Sequence, residues 1–175
     1  MFNFFKTKKI DVSTMEPIIC EKYGIEFRCN ESAKKYYYYS GSVQWKNEKL
    51  YFRLGVDSKN SFSINKSMEH FEKMFENFAW WEENIKQKFL EEIFEGKETA
   101  SISNWSEWNA DDEESWHIKM TRAEFYELIN IEDIDINKDG KIEVGIRLDG
   151  DGELVSPDAM WVSTEITGTD FKVNI

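Results

Sequence analysis

Histidine, cysteine and proline are scarce in this chain of 175 residues, with two of each. Two histidines, His70 and His117, are too few for most zinc sites or catalytic triads unless both converge on one place. Cys20 and Cys29, nine positions apart, match neither a zinc-binding nor a redox spacing. Two prolines and nine glycines argue against a long flexible linker. No glycine-rich phosphate loop, nucleophile elbow or zinc-binding histidine pair is present. The first nine residues are basic and aromatic, but no long apolar run follows them, so neither a signal peptide nor a membrane span is expected. A cytoplasmic protein with reduced thiols follows from that reading. Positive charge is also short: 22 basic against 34 acidic side chains give a net charge of −12. Nucleic-acid affinity comes largely from cations that neutralise phosphates, so this balance opposes it and favours a basic partner or simple solubility.

Aromatic residues are abundant, with 7 Trp, 7 Tyr and 13 Phe, which predicts a ring-rich core. The length suits one domain, read here as residues 16–175 behind a flexible tail of residues 1–15. Two short strands between Ile18 and Arg28 are expected to meet near Tyr23-Gly24. Tyr36 to Tyr39 would place two rings on each face of a strand, which continues to Trp45, turns at Lys46-Asn47 and returns through Leu50–Val56. From Ser67 to Gly96, Phe71, Met74, Phe75, Phe78, Ile85, Phe89 and Ile93 recur at helical spacing. Trp80 and Trp81 interrupt that spacing, so two helices meeting near residues 77–79 are as plausible as one, with Ser67 as N-cap and Gly96 as the stop. His70 then falls in the first turn and reads as a surface residue. Thr121-Arg-Ala-Glu124 spells a capping box, in which the Thr oxygen and the Glu carboxylate each satisfy a free backbone amide. The helix it opens is expected to end near Asn130. A closing strand or two should span Met160–Ile175 with a turn at Gly168. The expected fold class is α+β: an antiparallel sheet built of hairpins, packed on a helical pair (about Ser67–Gly96) plus one short helix (about Thr121–Asn130).

The stretch Asp135–Glu143 carries the one motif that would supply a ligand. Asp135, Asn137, Asp139 and Gly140 open like a calcium loop, with Glu143 at the ninth position. The twelfth position, where a bidentate Glu is required, is Ile146. A hairpin explains more residues. Ile142, Val144, Ile146 and Leu148 alternate with Lys141, Glu143 and Arg147 at the period of a half-buried strand. A three-residue loop, Lys138-Asp139-Gly140, would pair Asn137 with Lys141, Ile136 with Ile142 and Ile134 with Val144, leaving Gly140 where a left-handed residue is needed. Asp135 would then be an ordinary turn residue on the solvent face. Weak calcium binding through Asp135, Asn137, Asp139 and Glu143 is the alternative.

Trp105 and Trp108 stand before the acidic run Asp111, Asp112, Glu113 and Glu114, and this cluster is the expected partner-binding patch. No catalytic or cofactor-binding residue is singled out and no cofactor is expected. An enzyme would need a carboxylate beside His70 or His117 in a deep pocket.

Tyr39-Ser-Gly-Ser-Val-Gln-Trp45, Asn104-Trp105 before the acidic run, the Thr121–Asn130 helix, and the hairpin with Asp139-Gly140 and Asp149-Gly150 resemble an uncharacterised bacterial family of small acidic cytoplasmic proteins, a domain of unknown function. The likeness covers about Ile18 to Gly168. In that family an aromatic-Gly-His element precedes the last strand. Here Ser156-Pro-Asp-Ala-Met160 stands in its place, so no role for that histidine carries over. The resemblance implies an α+β fold and no defined activity. By analogy with small acidic immunity proteins, it suggests a non-catalytic binder of a basic protein.

Overall fold

The computed structural model describes residues 12–33, 36–57, 61–103, 117–148 and 160–174. The chain runs β1 (Ile18–Cys20), β2 (Ile25–Ala33), β3 (Tyr36–Trp45), β4 (Glu48–Asp57), α1 (Ser61–Glu76), α2 (Phe78–Phe94), β5 (Thr99–Ser103), β6 (His117–Thr121), α3 (Arg122–Leu128), β7 (Ile129–Asn137), β8 (Lys141–Leu148), β9 (Met160–Glu165) and β10 (Lys172–Asn174). Eight of these strands form one sheet in the order β1-β2-β3-β4-β7-β8-β9-β10, and β5 and β6 pair separately as a ribbon. The α+β class is as expected.

One pairing departs from the hairpin scheme. β4 and β7 lie parallel, with Phe52 beside Ile134 and Leu54 beside Ile136. Parallel neighbours require a long crossover, and here α1, α2, the ribbon and α3 supply it.

The sheet has one buried and one outer face because its strands alternate. Leu50, Phe52, Leu54 and Val56 of β4 point inward with Ile134 and Ile136 of β7, all of β8's Ile142, Val144, Ile146 and Leu148, and Val162 of β9. The predicted register of β7 and β8 holds, with Ile136 opposite Ile142 and Ile134 opposite Val144. Against this face lie Phe71 and Met74 of α1 and Phe78, Trp81, Ile85 and Phe89 of α2. The ring centroids of Phe71 and Phe52 are 4.9 Å apart in an edge-to-face arrangement, and those of Phe71 and Phe27 are 5.1 Å apart. Edge-to-face contact sets the positive rim of one ring against the negative face of the other.

The helices break at Asn77, within the expected window, but α1 starts at Ser61 rather than Ser67. Ser67 is wholly buried in the helix interior, and its hydroxyl donates to the Gly55 carbonyl at 2.9 Å. One turn earlier, Ser63 Oγ accepts from the Asp57 amide at 2.9 Å. These serines fasten the helix to the end of β4 instead of capping it. α2 ends as expected, with Glu95 and then Gly96 in left-handed backbone at φ 47° and 79°. The Thr121 capping box forms as read: Thr121 Oγ1 accepts from the Glu124 amide, and Glu124 accepts from the Thr121 amide at 2.8 Å. α3 stops at Leu128 rather than Asn130, because Ile129 is fully buried as the first residue of β7. At the N-terminal end, Val12–Thr14 forms a short 3-10 turn and Met15 packs on the core. Ordered structure therefore reaches into the span read as tail.

Candidate functional site

The outer face of the sheet carries the side chains that could do chemistry. Following the ladder across strands, Tyr51, Asp133, Gly145 and Trp161 form one row. Arg53, Asp135, Glu143, Ser163 and Lys172 form the next.

Arg53 anchors the second row. Its Nε donates to Asp135 Oδ1 at 2.7 Å and its Nη2 to Asp135 Oδ2, a two-pronged pair. Glu31 approaches Nη1 at 3.7 Å, and the guanidinium carbon lies 5.1 Å from the centre of the Tyr38 ring. A planar cation with two carboxylates at its edge and a ring on its face uses most of a guanidinium's bonding capacity. Hydrogen bonding to Asp135 drives the Arg53 pKa still higher. Asp135 thus lies on the outer face, as alternation predicts, but it is a strand residue rather than an ordinary turn residue. It is part-buried and committed to a residue 82 positions away.

The first row holds a feature that no local pattern announced. β7 bulges between Ile131 and Ile134, so that Glu132 and Asp133 together face Gly145. A β-carbon at Gly145 would sit 2.0 Å from Asp133 Oδ1. The Asp133 carboxyl therefore occupies the space that a side chain at position 145 would fill, and this accounts for a glycine among the outward-facing residues of β8. Desolvation in this notch, then repulsion from Asp135 and Glu132, pushes the Asp133 pKa up, with Arg53 pulling the other way. The residue has much exposed surface as a whole, whereas its carboxyl is the part held down over the bulge.

A shallow cavity of about 240 Å³ opens here, lined by Asp133, Asp135, Glu143, Gly145 and Trp161 among others. A second, of about 270 Å³, adjoins it around Tyr38, Arg53, Asp135 and Lys141. Asp135 is taken by Arg53, and Glu132 has Arg147 at 3.9 Å. Among the described residues, Asp133 and Glu143 form no ion pair within 4 Å. Tyr51 and Trp161, the flanking rings, are 48% and 42% exposed, the two large rings that this face leaves most open to solvent.

A raised carboxyl pKa has a definite stability consequence. The folded state holds the Asp133 proton more tightly than the unfolded chain does, so its contribution is favourable at low pH and is lost as pH rises through the window above the ordinary aspartate value. Asp133→Asn should therefore raise the melting temperature at pH 7, by less than about 1 kcal/mol in stability for so exposed a site. The gain should vanish below the normal aspartate range. Thermal melts across pH check this.

The hairpin tip is built differently from a calcium loop. Asn137 Oδ1 accepts from the amides of Asp139 (3.0 Å) and Lys141 (2.9 Å), so the side chain closes the turn. Gly140, at φ 79°, donates to the Asn137 carbonyl at 3.0 Å. His70, expected at the surface of a first turn, lies half-buried in mid-helix instead, because α1 begins earlier. Its Nδ1–H donates to the same Asn137 carbonyl at 3.2 Å. Ile146 points into the core. No group of three or more His, Cys, Asp or Glu side chains suited to a metal occurs among the described residues. With Asp135 held by Arg53 and Asn137 by backbone, titration calorimetry with calcium should show dissociation near about 1 mM or weaker. Micromolar binding abolished by Asp135→Ala would contradict that assignment.

Elsewhere, Glu82 accepts from Trp45 Nε1 at 3.1 Å and pairs with Lys46 at 2.8 Å and Lys86 at 3.8 Å. This clamp ties the β3–β4 turn to α2 and leaves the carboxylate fully engaged. Cys20 and Cys29 are free thiols. Burial raises the pKa of both, against the reactive-thiolate pattern. His117 lies on the β5–β6 ribbon, opposite Ser103, whereas His70 lies under the hairpin tip. Trp105, Trp108, Asp111, Asp112, Glu113, Glu114 and Asp149-Gly150 fall outside the described residues.

An α+β domain with one helix-covered sheet face and one open face of acids and rings defines the structural class. The chain belongs to the family described as an uncharacterized protein conserved in bacteria (DUF2262), which it matches over residues 26–169. No curated protein and no solved structure matches it. No helix among the described residues is long and apolar enough to cross a membrane.

Proposed function

We propose that this protein is a non-catalytic interaction domain of the bacterial cytoplasm that binds a basic protein partner, in the manner of an immunity protein. The observation that carries the reading is the open sheet face, where among the described residues Asp133 and Glu143 form no ion pair within 4 Å and Tyr51 and Trp161 present their rings to solvent. Carboxylates left unpaired on a surface gain most from a cationic partner, and aromatic rings are the commonest anchors of protein interfaces. The net charge of −12 would hasten encounter with such a partner over longer range. Free thiols at Cys20 and Cys29 suit a reducing compartment.

The purified chain, used as bait in native bacterial lysate, is expected to retain a basic protein at low salt and release it as ionic strength rises. A chain carrying Asp133→Asn and Glu143→Gln should retain much less. No retention by either chain, or retention that salt does not weaken, would sink the proposal, whereas equal salt-sensitive retention by both would place the contact off this face.

A further inference from the structure

The sheet already contains one worked example of how it holds a guanidinium. Arg53 lies with its edge on Asp135 and Glu31 and its carbon 5.1 Å from the Tyr38 ring. One row away Asp133 supplies a carboxylate, Trp161 a ring and Gly145 between them no side chain, while Glu143 of Arg53's own row lies beside them. Among the described residues neither Asp133 nor Glu143 forms an ion pair within 4 Å. The Asp133 carboxyl lies over Gly145, and Gly145 pairs with Trp161 on the next strand, so carboxylate and indole stand one strand spacing, roughly 5 Å, apart. One flat cation laid over them can touch both. The nearby arginine, Arg147, is turned toward Glu132 at 3.9 Å.

We propose that the shallow cavity bounded by Asp133, Glu143 and Trp161, with the Asp133 carboxyl over Gly145 as its floor, receives an arginine side chain of the basic partner. The inference rests on the interaction-domain reading above and specifies its contact. Arginine fits better than lysine on two grounds. Its planar fork can donate two parallel hydrogen bonds to a carboxylate, and its flat face can stack on an indole while its edge stays hydrogen-bonded. An ammonium offers a point charge and no stacking face. The β7 bulge is what shapes the notch, because it delivers the Asp133 carboxyl over Gly145 instead of leaving it level with its neighbours. Substitution at Gly145 would displace the Asp133 carboxyl.

The test uses nona-arginine and nona-lysine peptides as probes, titrated at low salt into the isotope-labelled full chain and followed by amide and indole resonances. Saturable shifts at the Gly145 amide and the Trp161 indole are expected, with nona-arginine at least about threefold tighter than nona-lysine. Trp161→Ala and Asp133→Asn should each weaken nona-arginine by about tenfold, and Glu165→Gln, elsewhere on β9, should change little. Asp133→Asn is expected to fold at least as stably as the parent at pH 7, so lost binding there is not lost structure. Equal affinity for the two peptides overturns the arginine assignment. Shifts confined to other regions, such as Asp111–Glu114, overturn the notch and leave the basic-partner reading standing. No shift with either peptide overturns both.

Discussion

Replacing Phe71 with alanine is expected to lower stability by about 3–5 kcal/mol, the range for deleting a fully buried ring. Phe71 has no exposed surface and is the point at which α1 meets the sheet. Its ring makes edge-to-face contacts with Phe27, Phe52 and Tyr23, and stacks on Phe75 at 5.6 Å. Those partners come from β2, from β4, from the β1–β2 turn and from α1 itself, so no single element can shift to close the space. Phe71→Leu keeps most of the volume and should cost less than about 1.5 kcal/mol. Urea denaturation, with midpoints compared at unchanged slope, measures both. A small loss for Phe71→Ala would mean that the helical layer does not dock on the sheet through this ring.

Gly140→Val should be nearly as damaging, for a different reason. Gly140 has φ 79°, where a β-branched residue is strongly disfavoured, and left-handed backbone alone costs about 1–2 kcal/mol. It is also buried. A β-carbon there would stand 2.9 Å from Ile166 Cγ2 and 3.4 Å from His70 Cε1, and its carbonyl accepts from the Ile166 amide at 2.7 Å. Crowding of this kind adds about 1–3 kcal/mol. Gly96→Val is the control, since Gly96 shares the same φ of 79° and a β-carbon there would meet nothing within 4 Å. It should show the backbone penalty without the crowding. Equal losses at the two positions would mean that the hairpin tip is not docked against α1 and the β9–β10 turn.

Much of the architecture was legible where the determining forces are local. The strict alternation from Ile142 to Leu148 sets which side chains face inward. With Gly140 available for a left-handed turn, the pairing of Ile136 with Ile142 follows at once. The Thr121–Glu124 capping box is equally local, since both partners lie within one helical turn. Ser67 misled for the same reason that such reasoning succeeds elsewhere. A serine ahead of an apolar helical run looks like a cap, and only the Gly55 carbonyl, 12 positions back, shows it to be a buried fastener. His70 was then displaced with it, from a first turn into the middle of α1.

The sequence by itself determined the α+β class, the faces of the strands and the turns between neighbours, because periodicity and turn chemistry act over a few residues. Tertiary structure alone decided that β7 lies parallel beside β4. Burial of two apolar faces under one helical layer drives that pairing, and no short-range pattern encodes it. From it come the Arg53–Asp135 pair across 82 positions, the row that sets Asp133 between Tyr51 and Gly145, and so the notch beside Trp161.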